Sequence, residues 1–258
     1  MSDLDVLIIG GTSMARALAS QLSEHGIRVT TSLAGRTSAP RSVSGAVRMG
    51  GFGGVEGLIG WLGDHQPRCV VNASHPFAAT MSSHAARACQ RLGLPMARLT
   101  PRSWGALTQA RDWIWVADNP SAAQAVVALP DPVLLTVGRQ ATADYLALGD
   151  RDVTHRVIDA PVEELPPRWT LVRQRGPFTM ADEQSQLDAP GHRIATLVTK
   201  DSGGDSPAAK LSVAARTGAR VVMIARPASP DYGTAMHDLA QARSWVRMQL
   251  RSTGSLSG

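Results

Sequence analysis

The apolar positions of the chain fall into two alternating patterns. Val6–Ile9 is a short, fully apolar run, the pattern of a central parallel strand with both faces covered. Behind it, Ala15, Leu18, Ala19 and Leu22 recur at helical spacing, and Gly26 follows as a stop. "RVTTSLAGRT" predicts a second strand, rich in β-branched residues and ending at Gly35–Arg36, and "AVRMGGFGG" ends a third. Val55, Leu58, Ile59 and Leu62 mark a second helix. "PRCVVNASHPFAA" gives a fourth strand, Cys69–Val71, and a loop. Met81, Ala85, Ala88, Cys89 and Leu92 form another helical face, closed by Gly93. Regular strand–helix alternation of this kind predicts an α/β, doubly wound parallel sheet.

The pattern then restarts. "DPVLLTVGRQATADYLALG" is again strand, glycine-containing turn and helix. "IATLVTKDSGGDSPAAKLSVAARTGARVVMIARP" is strand, glycine-rich loop, helix and strand. Two α/β halves are expected, residues 1–118 and 119–258. The join falls within Ala106–Asp131, where Pro120 and Pro130 lie and Pro132 follows; strands near it are free to cross between halves. "DWIWVAD" in that region reads as a further strand of either sheet. Thr234–Leu250 reads as a surface helix, and the tail "RSTGSLSG" is polar.

Composition narrows the class. With 258 residues, 43% apolar and 18% charged, the chain is a globular protein. No apolar run approaches the roughly 18–20 residues that span a bilayer, so no membrane partner is expected. Asp3 and Asp5 near the N-terminus argue against a signal peptide. Cys69 and Cys89, in strand and helix contexts, read as reduced packing thiols of a cytoplasmic protein. Net charge is +5 and the isoelectric point near 10.0, with Lys200 and Lys210 the two lysines among many arginines. Arginine suits forked recognition of phosphate and carboxylate, which points to an anionic partner. Codon bias accounts for the same excess. Nucleic acid is not expected, because the basic residues scatter over strand-end loops and aromatics are few.

In open parallel sheets, ligands bind beyond the carboxyl ends of the strands. Gly10, Gly11, Thr12 and Ser13 leave the first strand. They fit a phosphate at a helix N-terminus, although the G-x-G-x-x-G frame keeps only Gly10 and has Thr12 and Ala15 at its other two positions. A tight corner capped by Thr12 or Ser13 explains them equally well. Arg36 and Thr37 stand where such sheets distinguish NADP from NAD, and no acidic residue occurs between Ile27 and Val55. Gly51, Phe52 and Gly53, within "RMGGFGG", fit backbone lying against a ligand with the ring as one wall, or else a flexible loop. Asn72, Ser74 and His75 follow the fourth strand; His75 is a proton donor or anion binder if it is not merely bonded locally. In the second half, Lys200, Ser202, Gly203 and Gly204 make a plausible anion nest, unless Asp201 pairs with Lys200. Arg139, Arg173 and Arg175 add cations at other strand ends, with Arg102 and Lys210 as further candidates. No H-x-x-x-H, C-x-x-C or acidic cluster is present, so no metal is expected.

In order along the chain, "GGTSMARALA", "AGRT", "GGFGG", "VVNASHPFAA", "VLLTVGRQ", "GPF" and "LVTKDSGG…AKL…VVMIARP" resemble the precorrin-6A reductases of cobalamin biosynthesis, over about Val6 to Pro227. The departures are mild: Met14 where an acid is usual, Asn72 and Ser74 for Asp and Thr, and Asp201 for Asn. The resemblance implies two Rossmann-like domains with a ligand cleft between them, the first binding NADPH and the second the tetrapyrrole. It implies NADPH-dependent reduction of a double bond of precorrin-6A, giving precorrin-6B, with hand-over to the next pathway enzyme as a further expectation. The alternatives are a reductase of the cobalt-loaded ring and a non-catalytic NADP-binding protein.

Overall fold

A computed structural model of the chain describes residues 4–34, 43–189, 191–204 and 208–252. The chain divides into two units, Met1–Pro101 with Ala228–Gly258, and Arg102–Pro227. Each is built on one six-stranded sheet.

The first sheet contains β1 (Val6–Ile9), β2 (Val29–Leu33), β3 (Ala46–Met49), β4 (Cys69–Asn72) and β5 (Met96–Leu99). Its sixth strand, β14 in chain order (Thr234–Met236), comes from the chain's last segment. The order is β14-β5-β4-β1-β2-β3, every pair parallel. This is the 3-2-1-4-5-6 arrangement of a dinucleotide-binding sheet, with its reversal between β1 and β4. Helices α1 (Ser13–Glu24), α2 (Gly54–His65), α3 (Ala79–Leu92) and α8 (Leu239–Ser252) cover its faces. β1 and β4 are buried at every position, and Val6–Ile9 and Cys69–Val71 accordingly read as unbroken apolar runs. Ala15, Leu18, Ala19 and Leu22 of α1 pack with Val6, Ile8 and, from α8, Trp245 and Val246. Leu58 and Leu62 of α2 join Cys89 of α3 on the other face. Both cysteines are free and buried, and burial pushes each thiol up to about 12.

The second sheet contains β6 (Ile114–Val116), β7 (Val133–Thr136), β8 (Val153–Val157), β9 (Trp169–Arg173), β12 (Thr196–Lys200) and β13 (Arg220–Ile224). A short antiparallel ladder, β10 (Asp188–Ala189) with β11 (His192–Arg193), stands apart from it. The order is β6-β13-β12-β7-β8-β9, again parallel throughout. From β7 the chain steps outward to β8 and β9, then returns to β12 on the other side of β7. The second reversal therefore lies between β7 and β12. Helices α4 (Asn119–Val126), α5 (Thr142–Tyr145), α6 (Met180–Leu187) and α7 (Ala208–Thr217) complete the unit.

Two sequence expectations change. The units do not divide at residues 118 and 119. Ile114–Val116 pairs with β13 in the second sheet, and residues from Ala228 onward return to the first, where β14 pairs with β5. The proline-rich stretch is internal to the second unit; Pro120 opens α4, where a missing amide costs nothing. Thr234–Leu250 is likewise not one helix. Thr234–Met236 is strand, and Asp238 then starts α8, accepting from the Gln241 amide at 2.8 Å.

Strand β8 carries a fully buried histidine, His155, whose ring nitrogens have no hydrogen-bond partner among the described residues. Burial pushes it down to about 4, against the opposing pull of Glu163 and the Gly138 backbone. It folds neutral. Below the ordinary histidine value of 6.5 the unfolded chain takes up a proton that the folded one refuses. Stability should therefore fall as pH drops from 6.5 toward 4, and His155→Phe should flatten that limb in thermal unfolding followed across pH.

Candidate functional site at the sheet switch points

In the first unit, Gly10 ends β1 with φ +122°, and Ala73 and Ser74 leave β4 beside it. A Cβ on Gly10 would lie 2.6 Å from Ala73 O, Ser74 N and Ser74 Cα, so glycine is required by both conformation and space. Thr12 is the N-cap of α1. Its hydroxyl accepts from the Ala15 amide at 3.1 Å and donates to Ala73 O at 2.9 Å. That hydrogen is spent inside the protein, so the capped-corner reading of Thr12 is met. Among the described residues no acceptor meets the amides of Gly11, Thr12 and Ser13. Unpaired amides at the start of a twelve-residue helix remain to receive an anion.

The β4 loop is fixed just as closely. Asn72 is 3% exposed and accepts from both the amide and the hydroxyl of Ser74, at 3.2 and 2.7 Å. Its own amide group donates to Ser82 of α3 at 3.1 Å. Ser74 is thereby buried, while His75 is exposed. The Phe77 amide donates to His75 Nδ1 at 3.2 Å, which places the ring proton on Nε2. The imidazole is therefore held by its own turn.

Beyond β3, Gly50, Gly53 and Gly54 have φ of +97°, +79° and +87°. The organiser of this loop is Arg48, which sequence reasoning passed over. Its guanidinium donates to Gly50 O at 2.6 Å and Gly51 O at 2.7 Å, and it lies 3.8 Å over the Phe52 ring. Phe52 also meets Trp61 edge-on at 5.6 Å. The ring is thus half-buried in the protein's own packing, with Gly51 and Gly53 exposed on either side. The arginine within "RMGG" was the available signal. Arg36 and Thr37 lie outside the described residues.

In the second unit the Gly138–Arg139 turn after β7 and the Lys200–Gly204 loop after β12 leave neighbouring strands at the reversal. Lys200 Nζ reaches across to donate to Val137 O at 2.6 Å. Burial holds this amine below the ordinary lysine range, with Asp144 opposing. Asp201 does not pair with Lys200. Its carboxylate, 2% exposed, accepts from Ser103 Oγ at 2.6 Å and the Trp104 amide at 2.9 Å, and pairs with Arg226 Nε at 3.1 Å. Trp104 Nε1 donates to Gly204 O at 2.8 Å. Asp201 and Trp104 thus clamp the loop from below, and nothing in the local sequence announces either role. Gly203 and Gly204 have φ of +70° and +81°, and a Cβ on Gly203 would collide with Arg226 and with Arg102 O. Ser202 sits in the tight turn formed by its amide and Lys200 O at 2.7 Å.

Arg139 is exposed and reaches Ala160 O at 3.5 Å. Arg173 ends β9 at the sheet's outer edge, and Arg175 follows it, both exposed. Lys210, by contrast, is buried on α7 and bonds Thr136 Oγ1 at 3.2 Å. Arg139, Lys200, Ser202, Gly203 and Gly204 therefore gather at one switch point, with Arg173 and Arg175 two strands away. Among the described residues no group of three or more His, Cys, Asp or Glu is placed to hold a metal, and no helix is long and apolar enough to cross a membrane.

A parallel sheet with the strand order of dinucleotide-binding folds and a second doubly wound parallel sheet define an α/β protein of the Rossmann-like class. The comparisons give the family. Residues 5–247 match the model described as precorrin-6x reductase CbiJ/CobK, and the chain belongs to that family of cobalamin-biosynthesis oxidoreductases. It is 43% identical over 242 residues to the precorrin-6A reductase of Mycobacterium tuberculosis (strain CDC 1551 / Oshkosh), covering 93% of this chain and 96% of the relative. It is 40% identical to that of Rhodococcus erythropolis with the same coverage. The solved structure of CobK precorrin-6A reductase superposes with a TM-score of 0.85 at 34% identity, covering 95% of this chain and 97% of that one.

Proposed function

We propose that this chain reduces one double bond of precorrin-6A with NADPH, giving precorrin-6B. The observation that carries the reading is the pair of anion-receptive switch points, one amide-lined at α1 and one lysine- and glycine-lined after β12.

The residues fit a nicotinamide dinucleotide. Gly10 admits no Cβ, and the first turn of α1 offers unpaired amides where a pyrophosphate binds in such sheets. Gly10, Gly11, Thr12 and Ser13 would hold the pyrophosphate, and Gly51, Phe52 and Gly53 would border the nucleotide. Arg36 and Thr37 would take the 2′-phosphate. The bound cofactor supplies the hydride, for which a conjugated macrocycle is a good acceptor. Arg139, Arg173, Arg175, Lys200, Ser202, Gly203 and Gly204 receive the carboxylate arms of the ring. Each charge-assisted contact contributes roughly 1.5–3 kcal/mol before desolvation is subtracted. Contacts at several azimuths select one pose of a large flat ligand. Ser74 and His75 would contact the substrate, His75 binding or polarising it, and the proton that completes the reduction would come from His75 or from water. Two buried, free cysteines suit a reducing compartment, the cytoplasm. Hand-over of product to the next pathway enzyme is part of the same proposal.

Arg36→Ala should weaken NADPH binding and leave NADH nearly unchanged, as read by titration of each cofactor. Equal loss of both would mean that the 2′-phosphate is read elsewhere. His75→Ala should lower turnover and macrocycle affinity together. A fall in turnover beyond about 10⁴-fold, the upper end of general-acid contributions, with binding intact would make His75 the essential acid instead. Assay with the metal-free and the cobalt-loaded ring in parallel separates this reading from that of a cobalt-precorrin-6A reductase.

A further inference from the structure

The second unit holds a buried charged cluster that the proposed chemistry does not use. Lys210, in the first turn of α7, is 7% exposed. Its Nζ donates to Thr136 Oγ1 at 3.2 Å, and the Thr136 hydroxyl passes its own hydrogen to Val198 O at 3.1 Å. Arg156 of β8 and Glu183 of α6 pair through two contacts of 2.8 and 3.0 Å, and the guanidinium lies 4.2 Å over the Phe178 ring. The Trp104 ring centroid is 5.6 Å from Lys210 Nζ. Both oxygens of Glu183 are taken by Arg156, and among the described residues no carboxylate lies within ion-pair distance of Lys210.

A buried amine with one neutral hydrogen bond and an arginine nearby is costly. Burial, with Arg156 adding to it and Glu183 opposing, pushes this lysine down to about 7. Methionine has similar length and would fill the space without that cost. Stability therefore does not account for a lysine here. Position does. Lys210 ties the first turn of α7 to the end of β7. Lys200 ties the end of β12 to the next residue of the same segment, Val137. The Ser202–Gly204 amides lie in the connection between these two tethers, and Trp104 holds that connection at Gly204.

We propose that Lys210 is a positioning residue for the second unit's ligand loop: through Thr136 it fixes where α7 begins, and so sets the Ser202–Gly204 amides and the Lys200 ammonium for a carboxylate arm of the macrocycle. The inference rests on the reading of that loop as macrocycle-binding.

The test uses the full chain as wild type, Lys210→Met and Thr136→Val. Lys210→Met should unfold at a higher temperature than wild type. That gap should narrow as pH rises above 7 toward 10.5, because the unfolded lysine then ceases to gain the proton that the folded one lacks. The same variant should raise the KM for precorrin-6A about tenfold or more while NADPH affinity stays at the wild-type value. Thr136→Val should move the macrocycle KM in the same direction. A stabilised Lys210→Met with unchanged macrocycle KM overturns the inference, as does a destabilised variant that loses both ligands in proportion. If wild type itself fails to oxidise NADPH with precorrin-6A, the functional reading falls and takes the inference with it. If wild type turns over and Lys210→Met matches it, the inference alone falls.

Discussion

Gly10→Val is expected to abolish NADPH binding, with affinity falling by more than about 100-fold, and to lower the stability of the first unit by several kcal/mol. Two independent costs combine. The backbone sits at φ +122°, a region side chains rarely adopt. The added Cβ would overlap the Ala73–Ser74 backbone at 2.6 Å. Relief requires β1 and β4 to part at the reversal, and that moves Thr12 off Ala73 O and the α1 amides off their line. Cofactor titration and thermal unfolding check both effects. A soluble Gly10→Val variant that binds NADPH like wild type would show that the nucleotide does not use this turn.

Breaking the Arg156–Glu183 pair should be the other large loss. The two side chains are 5% and 1% exposed, so Glu183→Leu strands a guanidinium in the core. Removing one partner of such a pair costs about 3–5 kcal/mol, whereas replacing both by apolar groups is often neutral. The thermal transition of the second unit should therefore drop by roughly 10 °C in Glu183→Leu and largely recover in the double variant Arg156→Met/Glu183→Leu. If the single and double variants were equally unstable, the pair would matter through packing rather than charge.

Where a buried strand has an unbroken apolar run at its centre, that run exposes it, as with β1, β4, β7 and β12. β8 hides because His155 and Arg156 interrupt its run. Arg156 is compatible with burial only through Glu183, 27 positions away, a partner no local pattern contains. β14 hides because it is three residues long and two of them are exposed. At the candidate site the loops were legible as glycine-rich strand ends, and the chemistry of single residues was less so. Thr12 meets Ala73 across 61 positions, and Asp201 meets Ser103 across 98, contacts that exist only once the sheets form. Arg48 was visible beside its glycines, but its hold on Gly50 and Gly51 depends on where β3 ends.

The most direct test of the account is a single reaction containing the protein, NADPH and precorrin-6A, with nicotinamide absorbance and macrocycle spectrum followed together. The account predicts that one equivalent of NADPH is oxidised per macrocycle, in step with the spectral change, and that NADH is a much poorer donor. Binding of both compounds without any oxidation of the cofactor would contradict it.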